Sequence, residues 1–487
     1  MSGPGRGGEV RRVVVTGAGA VTPLGPDLPT TWLRLVAGES GIRPISAFDP
    51  SRVESRVAGE ARDADPARVL DRKSIRRTDR TTQLALLATS EALASAGLPG
   101  RLEGELADRT GAYIGSGFGG ARTIFDEIRT YVERGPDRLS PFFVPMAIAN
   151  LAAGQVGIAF GARGPNLATV SACASGGHAI GEATETILRG DADVMLAGGA
   201  EAPVIEGIVG AFAAMKALST RNDDPAGASR PFDAGRDGFI VAEGAGTLVL
   251  EEVGHARARG AVPLAEVVGY GASADAYHVT LPGQGGEGGV RAARRALEKA
   301  GCEPSAIDLV SAHATSTPEG DRAELLALRA LFGGGDDGSW AQAPGAAGHA
   351  GGAASAVRPN AERGAAGAAR AAASEAQPNA GRGAAREIGR VVVESGHATG
   401  PLVTATKGAL GHTLGAAGAI GAALAVRSLV DGVVPPTLNL FDPDPDAHGL
   451  NIVAGSARRG TFRLALVNAF GFGGQNSTLL LRRWEDA

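Results

Sequence analysis

The sequence predicts an α/β protein built from two similar halves, and three observations carry that expectation. Short β-branched runs alternate with helical patterns along nearly the whole chain, which argues for stacked α and β layers. Two distant stretches, LATVSACASGGHAIGEA (167–183) and PLVTATKGALGHTLGAAGAIGAA (401–423), share one order: strand-like run, turn of small residues, helix. Two others, EGAGTLVLEE (243–252) and GGQNSTLLLRR (473–483), each close their half with a strand that follows glycines.

The predicted strands are, in order, RRVVVTG (11–17), GAYIGSG (111–117), DVMLAGGAE (193–201), GAGTLVLEE (244–252), PLAEVVGYGAS (263–273), IDLVSAHAT (307–315), PLVTATK (401–407) and FRLALVNAF (462–470). Helical patterns lie between them. One runs from about Ser175 to Arg189, with Ile180, Ala183, Ile187 and Leu188 inward and Gly190 past its end. Another is GGVRAARRALEKAG, with Val290, Ala293 and Leu297 on one face and Gly301 as its stop. The expected organisation is a flexible tail over 1–10, an N-terminal half over 11–255 and a C-terminal half over 256–487. Residues 333–386 interrupt the second half: Trp340 and Val357 are their only large apolar side chains. Such a segment buries too little surface to offset its ordering entropy and is read as a disordered insert.

Composition excludes several classes. A net charge of -5 does not suit a nucleic-acid binder. No run of 18 unbroken apolar residues occurs, and the expectation is that nothing spans a membrane. The N-terminus MSGPGRGG lacks the apolar core of a signal peptide. Cys173 and Cys302, the only cysteines, fit no metal-ligand spacing and no disulfide scaffold. A reducing, cytoplasmic setting is expected.

Cys173 stands where a helix begins. Unpaired N–H groups and the positive dipole end there favour a thiolate and can form an oxyanion hole; the plainer reading is a small buried side chain. Of the eight histidines, His178 is about 140° round the helix from Cys173 and is expected to face away. His313 and His412 follow predicted strands, where ligands bind in α/β sheets. GSGFGG (115–120) and VVVTGAGAVTPLG (13–25) imitate dinucleotide-binding loops, but lack the following acidic strand and the third glycine respectively.

Four motifs in order, SACASG, HATSTPEGD, KGALGHTLGAAG and NAFGFGGQN, give the chain its resemblance. It resembles the β-ketoacyl-acyl-carrier-protein synthases, most closely the elongating, type II-like branch, over 11–483 apart from the insert. The resemblance implies a thiolase-like fold, a five-layer α-β-α-β-α sandwich of two similar halves, and a homodimer or a heterodimer with a related subunit. By motif, Cys173 matches the acyl-accepting nucleophile, His313 and His412 the histidine pair, Lys407 the motif lysine and Glu324 its carboxylate partner. Thr315 and Thr317 match hydroxyls along the phosphopantetheine arm, and Phe472 a gating phenylalanine. Arg72, Lys73, Arg76 and Arg77, which the spacing places on one side of a helix-like segment, match a docking site for an acidic acyl carrier protein, as does Lys216. The implied reaction is decarboxylative condensation with malonyl-carrier protein, in fatty-acid or polyketide elongation, with no metal and no resident cofactor.

Two departures stand out. Ala314 occupies a position where the family usually has glycine, and the insert separates Glu324 from Lys407 by more than usual. Three rival readings fit the sequence less well. A thiolase needs a second active cysteine where this chain has NAFGFGGQN. Initiating ketosynthases pair the cysteine with histidine and asparagine, whereas KGALGH supplies a second histidine. A non-catalytic chain-length-factor-like subunit lacks the cysteine altogether.

Overall fold

The strand Val13–Val21 shows how the core is assembled. All nine of its residues are buried, and Gly17 and Gly19 lie directly beneath the helix Arg80–Ser95: a Cβ on either would fall 2.2 Å from the carbonyl oxygen of Ala92 or Ala88. Asp79 caps that helix by accepting from the Thr81 N–H at 2.9 Å. The second half repeats the device. In the strand Ala265–Ala274, a Cβ on Gly269 or Gly271 would meet the carbonyl oxygens of Ala296 and Ala292 in the helix Glu287–Ala300. The glycines that imitate a nucleotide loop therefore serve close helix-on-strand packing.

The structure, a computed structural model, describes residues 11–333 and 400–485. The proposed tail 1–10 and, apart from Gly333, the proposed insert 333–386 lie outside the described residues. Eleven strands form the main sheet, which divides naturally in two. The first part runs Val13–Val21, Gly244–Glu252, Val194–Glu201, Thr110–Gly115, Asn166–Leu167. The second runs Ala265–Ala274, Gln475–Arg483, Leu464–Gly471, Leu309–Ser311, Leu402–Thr404, with Asn451–Ile452 added at its edge. Neighbours in both parts pair antiparallel, antiparallel, parallel, parallel. The parts join only where Val14 and Val15 pair with Glu266 and Ala265.

Helices Ser175–Arg189 and Ala417–Asp431 pack on each other and on strands of both parts, forming the central layer. Arg80–Ser95 and Leu151–Phe160 cover one outer face, and Glu287–Ala300 covers the other beside Pro318–Phe332. The five-layer α-β-α-β-α order follows. The run Leu414–Asp431 is long and apolar enough to cross a membrane, but 78% of it is buried inside the protein; it is the core helix.

The largest differences from the expected elements fall near the carboxyl ends of strands. The predicted 307–315 and 401–407 shrink to Leu309–Ser311 and Leu402–Thr404, and only Asn166–Leu167 is strand on the approach to Cys173. Backbone N–H groups there leave the ladder for side-chain partners.

Candidate active site

Cys173 lies in a 3₁₀ turn, Ala172–Ala174, that runs straight into the helix Ser175–Arg189. Ala172 takes a φ of +50°, a left-handed conformation that costs a side-chain-bearing residue about 1–2 kcal/mol. Neighbouring hydroxyls hold the turn. The Ser171 N–H donates to Ser175 Oγ at 2.9 Å, and Ser175 Oγ donates to the Ala172 carbonyl at 2.7 Å. Gly471, at the end of Leu464–Gly471, closes on it from the other half; a Cβ there would sit 2.5 Å from the Ser171 carbonyl oxygen.

That closure brings Phe472 to the nucleophile. The backbone N–H groups of Phe472 and Cys173 both act on the sulfur in the direction that favours its anion. His412 Nε2 lies 3.0 Å from the same atom. The His313 and His412 rings meet edge to face, centroids 5.3 Å apart. Sγ and one nitrogen of each imidazole lie within 4.8 Å of one another. The three predicted residues are thus brought together, all buried.

Lys407 and Glu324 stand behind them, and their relation differs from a simple pair. The Lys407 ammonium donates to the His313 carbonyl oxygen. Glu324 accepts from the N–H groups of His313, at 2.8 Å, and Ala314, at 2.6 Å. Asn468 Nδ2 donates to Glu324 at 3.1 Å. No direct Lys407–Glu324 hydrogen bond is found among the described residues; the two grip opposite sides of the backbone that presents His313. Ala314, held at a φ of +24°, shows why glycine suits this position: the grip imposes a conformation that a Cβ opposes.

Burial governs the protonation states. It pushes the Cys173 thiol up to about 11, against the pull of Lys407 and of the two N–H groups. The thiolate expected from the helix terminus alone is therefore overturned, because removal from water outweighs the dipole. Burial also holds His313 and His412 well below the ordinary imidazole range, with Lys407 adding to the effect; both are neutral near pH 7. Lys407 itself falls to about 8 through burial, opposed by Glu324, Cys173 and Asp321. Glu324 is raised by burial despite its donors.

A cavity of about 610 Å³ opens onto the thiol. Cys173, His313, His412, Glu324, Thr315, Thr317, Phe472 and Lys216 all line it. The Thr315 and Thr317 hydroxyls are 3.0 Å apart, and their turn is fixed by Arg236, which donates to the Thr317 and Pro318 carbonyls. Phe472 is partly exposed and packs edge-on against Phe212, centroids 6.4 Å apart.

The basic segment lies apart from the cavity lining. Only Arg72–Ile75 is helical, so Arg76 and Arg77 follow the helix rather than share a face of it. All four basic side chains are exposed, with Arg77 stacked 4.3 Å over the Phe142 ring. Lys216 is exposed but bonded to both oxygens of Glu54, at 2.9 and 2.8 Å.

Sequence reasoning missed three supports. His178, expected merely to face away, binds Ser171 Oγ at 2.6 Å and approaches the Asn476 carbonyl at 3.3 Å. Glu201, fully buried, accepts from Ser116 Oγ and from the Gly117, Phe118 and Gly415 N–H groups, tying the halves together. Arg236 is the third. Their partners lie far off in sequence, except for Ser171, seven residues before His178, and the Asp233 carbonyl, three before Arg236.

A family profile described as β-ketoacyl synthase, N-terminal domain, matches residues 10–256. Its C-terminal counterpart matches 264–359 and 385–441. The chain belongs to the β-ketoacyl synthase family. Among curated relatives, it is 39% identical over 475 residues to a 3-oxoacyl-[acyl-carrier-protein] synthase 2 of Coxiella burnetii, covering 98% of this chain and 99% of that one. A protein of the same name from Staphylococcus aureus is 40% identical over the same coverage. Among solved structures, a β-ketoacyl synthase from Burkholderia phymatum superposes with a TM-score of 0.79 at 32% identity, over 98% of this chain and 100% of that one. A type II PKS ketosynthase in complex with its acyl-carrier protein gives 0.78 at 28%, with the same coverage.

Proposed function

We propose that this protein condenses an acyl group held on Cys173 with malonyl-acyl carrier protein, releasing CO₂ and giving β-ketoacyl-acyl carrier protein in fatty-acid or polyketide elongation. The observation that carries this reading is one cavity onto which a thiol and two neutral imidazoles converge, His412 Nε2 3.0 Å from the sulfur. In the first half-reaction the Cys173 sulfur attacks the incoming thioester while its proton passes to His412 Nε2, 3.0 Å away. The tetrahedral oxyanion is held by the N–H groups of Cys173 and Phe472. The released pantetheine sulfur takes up the proton. In the second, the bond to the malonyl carboxylate breaks, CO₂ leaves and its electron pair forms an enolate. A neutral imidazole N–H donates to the enolate oxygen, stabilising charge where it develops. The enolate carbon attacks the acyl-cysteine, and collapse expels the thiolate, which takes up a proton from solvent to restore the thiol. No metal or resident cofactor is required by these steps; the phosphopantetheine comes with the carrier.

Arg72, Lys73, Arg76 and Arg77 are the proposed landing site for the acidic carrier, with Lys216 at the cavity entrance. A second copy of the chain, or a related subunit, is the proposed neighbour of the exposed apolar side chains Ile128, Tyr131, Val132, Val144, Ile158, Leu167 and Val170; they accompany Asn166–Leu167, the last strand of the sheet. A reducing, cytoplasmic setting suits a reaction that needs a free thiol, and both cysteines are free. Intact mass after incubation with acyl-carrier proteins tests the reading: wild type should gain one acyl mass, and Cys173→Ala none. A gain at another residue in the variant would refute the nucleophile.

A further inference from the structure

We propose that Cys173, His313 and His412 also form a binding site for a soft divalent metal ion of the zinc class, in the enzyme not yet carrying an acyl group. The argument rests on ligand geometry and does not depend on the condensation reaction. The three side chains offer a sulfur and two imidazole nitrogens within 4.8 Å of one another. Zinc takes these donors at about 2.3 Å for sulfur and about 2.0 Å for nitrogen, which puts tetrahedral donor atoms roughly 3.5 Å apart. A separation at the 4.8 Å bound has to close by roughly 1 Å, and the 3.0 Å approach of His412 to sulfur has to open slightly. Both adjustments require the rings, packed on Phe470 and Phe239, to turn slightly toward the cavity that they line. That cavity leaves the fourth position to water.

Two features set the strength of the site. The Nδ1 atoms of His313 and His412 are buried and have no hydrogen-bond partner among the described residues. Dedicated metal centres hold the second nitrogen of each ligating imidazole with a carboxylate or carbonyl. This site has no such support, and the nearby Lys407 opposes a cation. Binding is accordingly weaker than at a structural zinc centre and reversible by chelators. On binding, the thiol gives its proton to solvent, the Sγ–metal bond forms and the ion sheds water molecules. A sulfur bonded to metal cannot accept an acyl group, and an acylated sulfur cannot bind metal, so the two states exclude each other.

The full-length protein titrated with Co²⁺ tests this, because a cobalt–thiolate bond gives a charge-transfer band and tetrahedral cobalt gives strong visible bands. Wild type and Cys302→Ser should show both, and Zn²⁺ should erase them while slowing acylation roughly tenfold or more, reversibly with EDTA. Cys173→Ala should lose the charge-transfer band, and His313→Ala and His412→Ala should bind roughly tenfold more weakly. Wild type acylated beforehand should show no bands, a result that needs no variant to fold. A charge-transfer band that persists in Cys173→Ala, bands that persist in acylated enzyme or vanish in Cys302→Ser, or bands that never form in wild type would overturn the proposal.

Discussion

The turn Ala172–Ala174 and the turn Leu414–Ala416 occupy corresponding places in the two halves, and they differ in one decisive residue. Each is a 3₁₀ turn that feeds a central helix, Ser175–Arg189 or Ala417–Asp431. Each opens on a residue of positive φ, +50° at Ala172 and +45° at Leu414. Each is crossed by a strand of the opposite half through a glycine: Gly471 closes on the Ser171 carbonyl, and a Cβ on Gly199 would meet the Gly415 carbonyl oxygen at 2.6 Å. At the centre stand Cys173 in one turn and Gly415 in the other. The duplicated scaffold builds the strained, buried turn twice. Chemistry is then divided: the first turn carries the nucleophile, while the second half supplies His313, Lys407 and His412 around it. Gly415 gives its N–H to Glu201 instead.

The comparison can be broken at Gly415. A Cβ there would stand 2.5 Å from the Gly117 nitrogen and 2.6 Å from Glu201 Oε2, so Gly415→Ala should lower stability by about 1–3 kcal/mol. Thermal unfolding would show it as a fall in Tm; an unchanged Tm would mean that the two turns are not equally tight. A smaller effect is expected at the surface. Reversing charge at Lys73, Arg76 and Arg77 should raise KM for carrier-bound donors several-fold at low salt, and less at high salt, with small pantetheine thioesters nearly unaffected. Equal losses for both donors would point to damage in the turns themselves.

The smallest effect concerns Glu201, which bridges the turns. Burial raises its carboxyl to about 7 against four donors, and burial does the same to Asp321 in the second half. A carboxyl whose folded value lies above its ordinary one stabilises the fold below pH 4.5 and ceases to as pH rises through 7. Tm should therefore decline between pH 5 and 8, and Glu201→Gln should make that decline shallower without removing it. An identical slope in the variant would show that Glu201 does not titrate in this window.

Much of this was legible. The bounds of strand 244–252 and helix 175–189 are legible because stop signals and periodicity are local, but Leu188, expected inward, is exposed, since the last turn of the helix reaches past the layers that cover Ile180, Ala183 and Ile187. Cys173, His313, His412 and Lys407 announced themselves by motif. What could not be read depends on burial and on distant partners. The thiol's raised value reverses an inference drawn from the helix terminus, and Glu201 and Arg236 bind groups roughly a hundred residues away in sequence or more. Helical spacing over 71–80 was a misreading, because the helix ends at Ile75 and the basic residues beyond it are free to follow another course.

The central claim is that the cysteine turn accepts the acyl group while the histidines of the other half drive decarboxylation. It is tested most directly by measuring acyl-enzyme formation and CO₂ release side by side in His313→Ala and His412→Ala. Both variants should still gain acyl mass, more slowly for His412→Ala, which loses the proton acceptor beside sulfur. Both should release CO₂ from malonyl-carrier protein at least about 10²-fold more slowly than wild type. Undiminished CO₂ release in both would contradict the account.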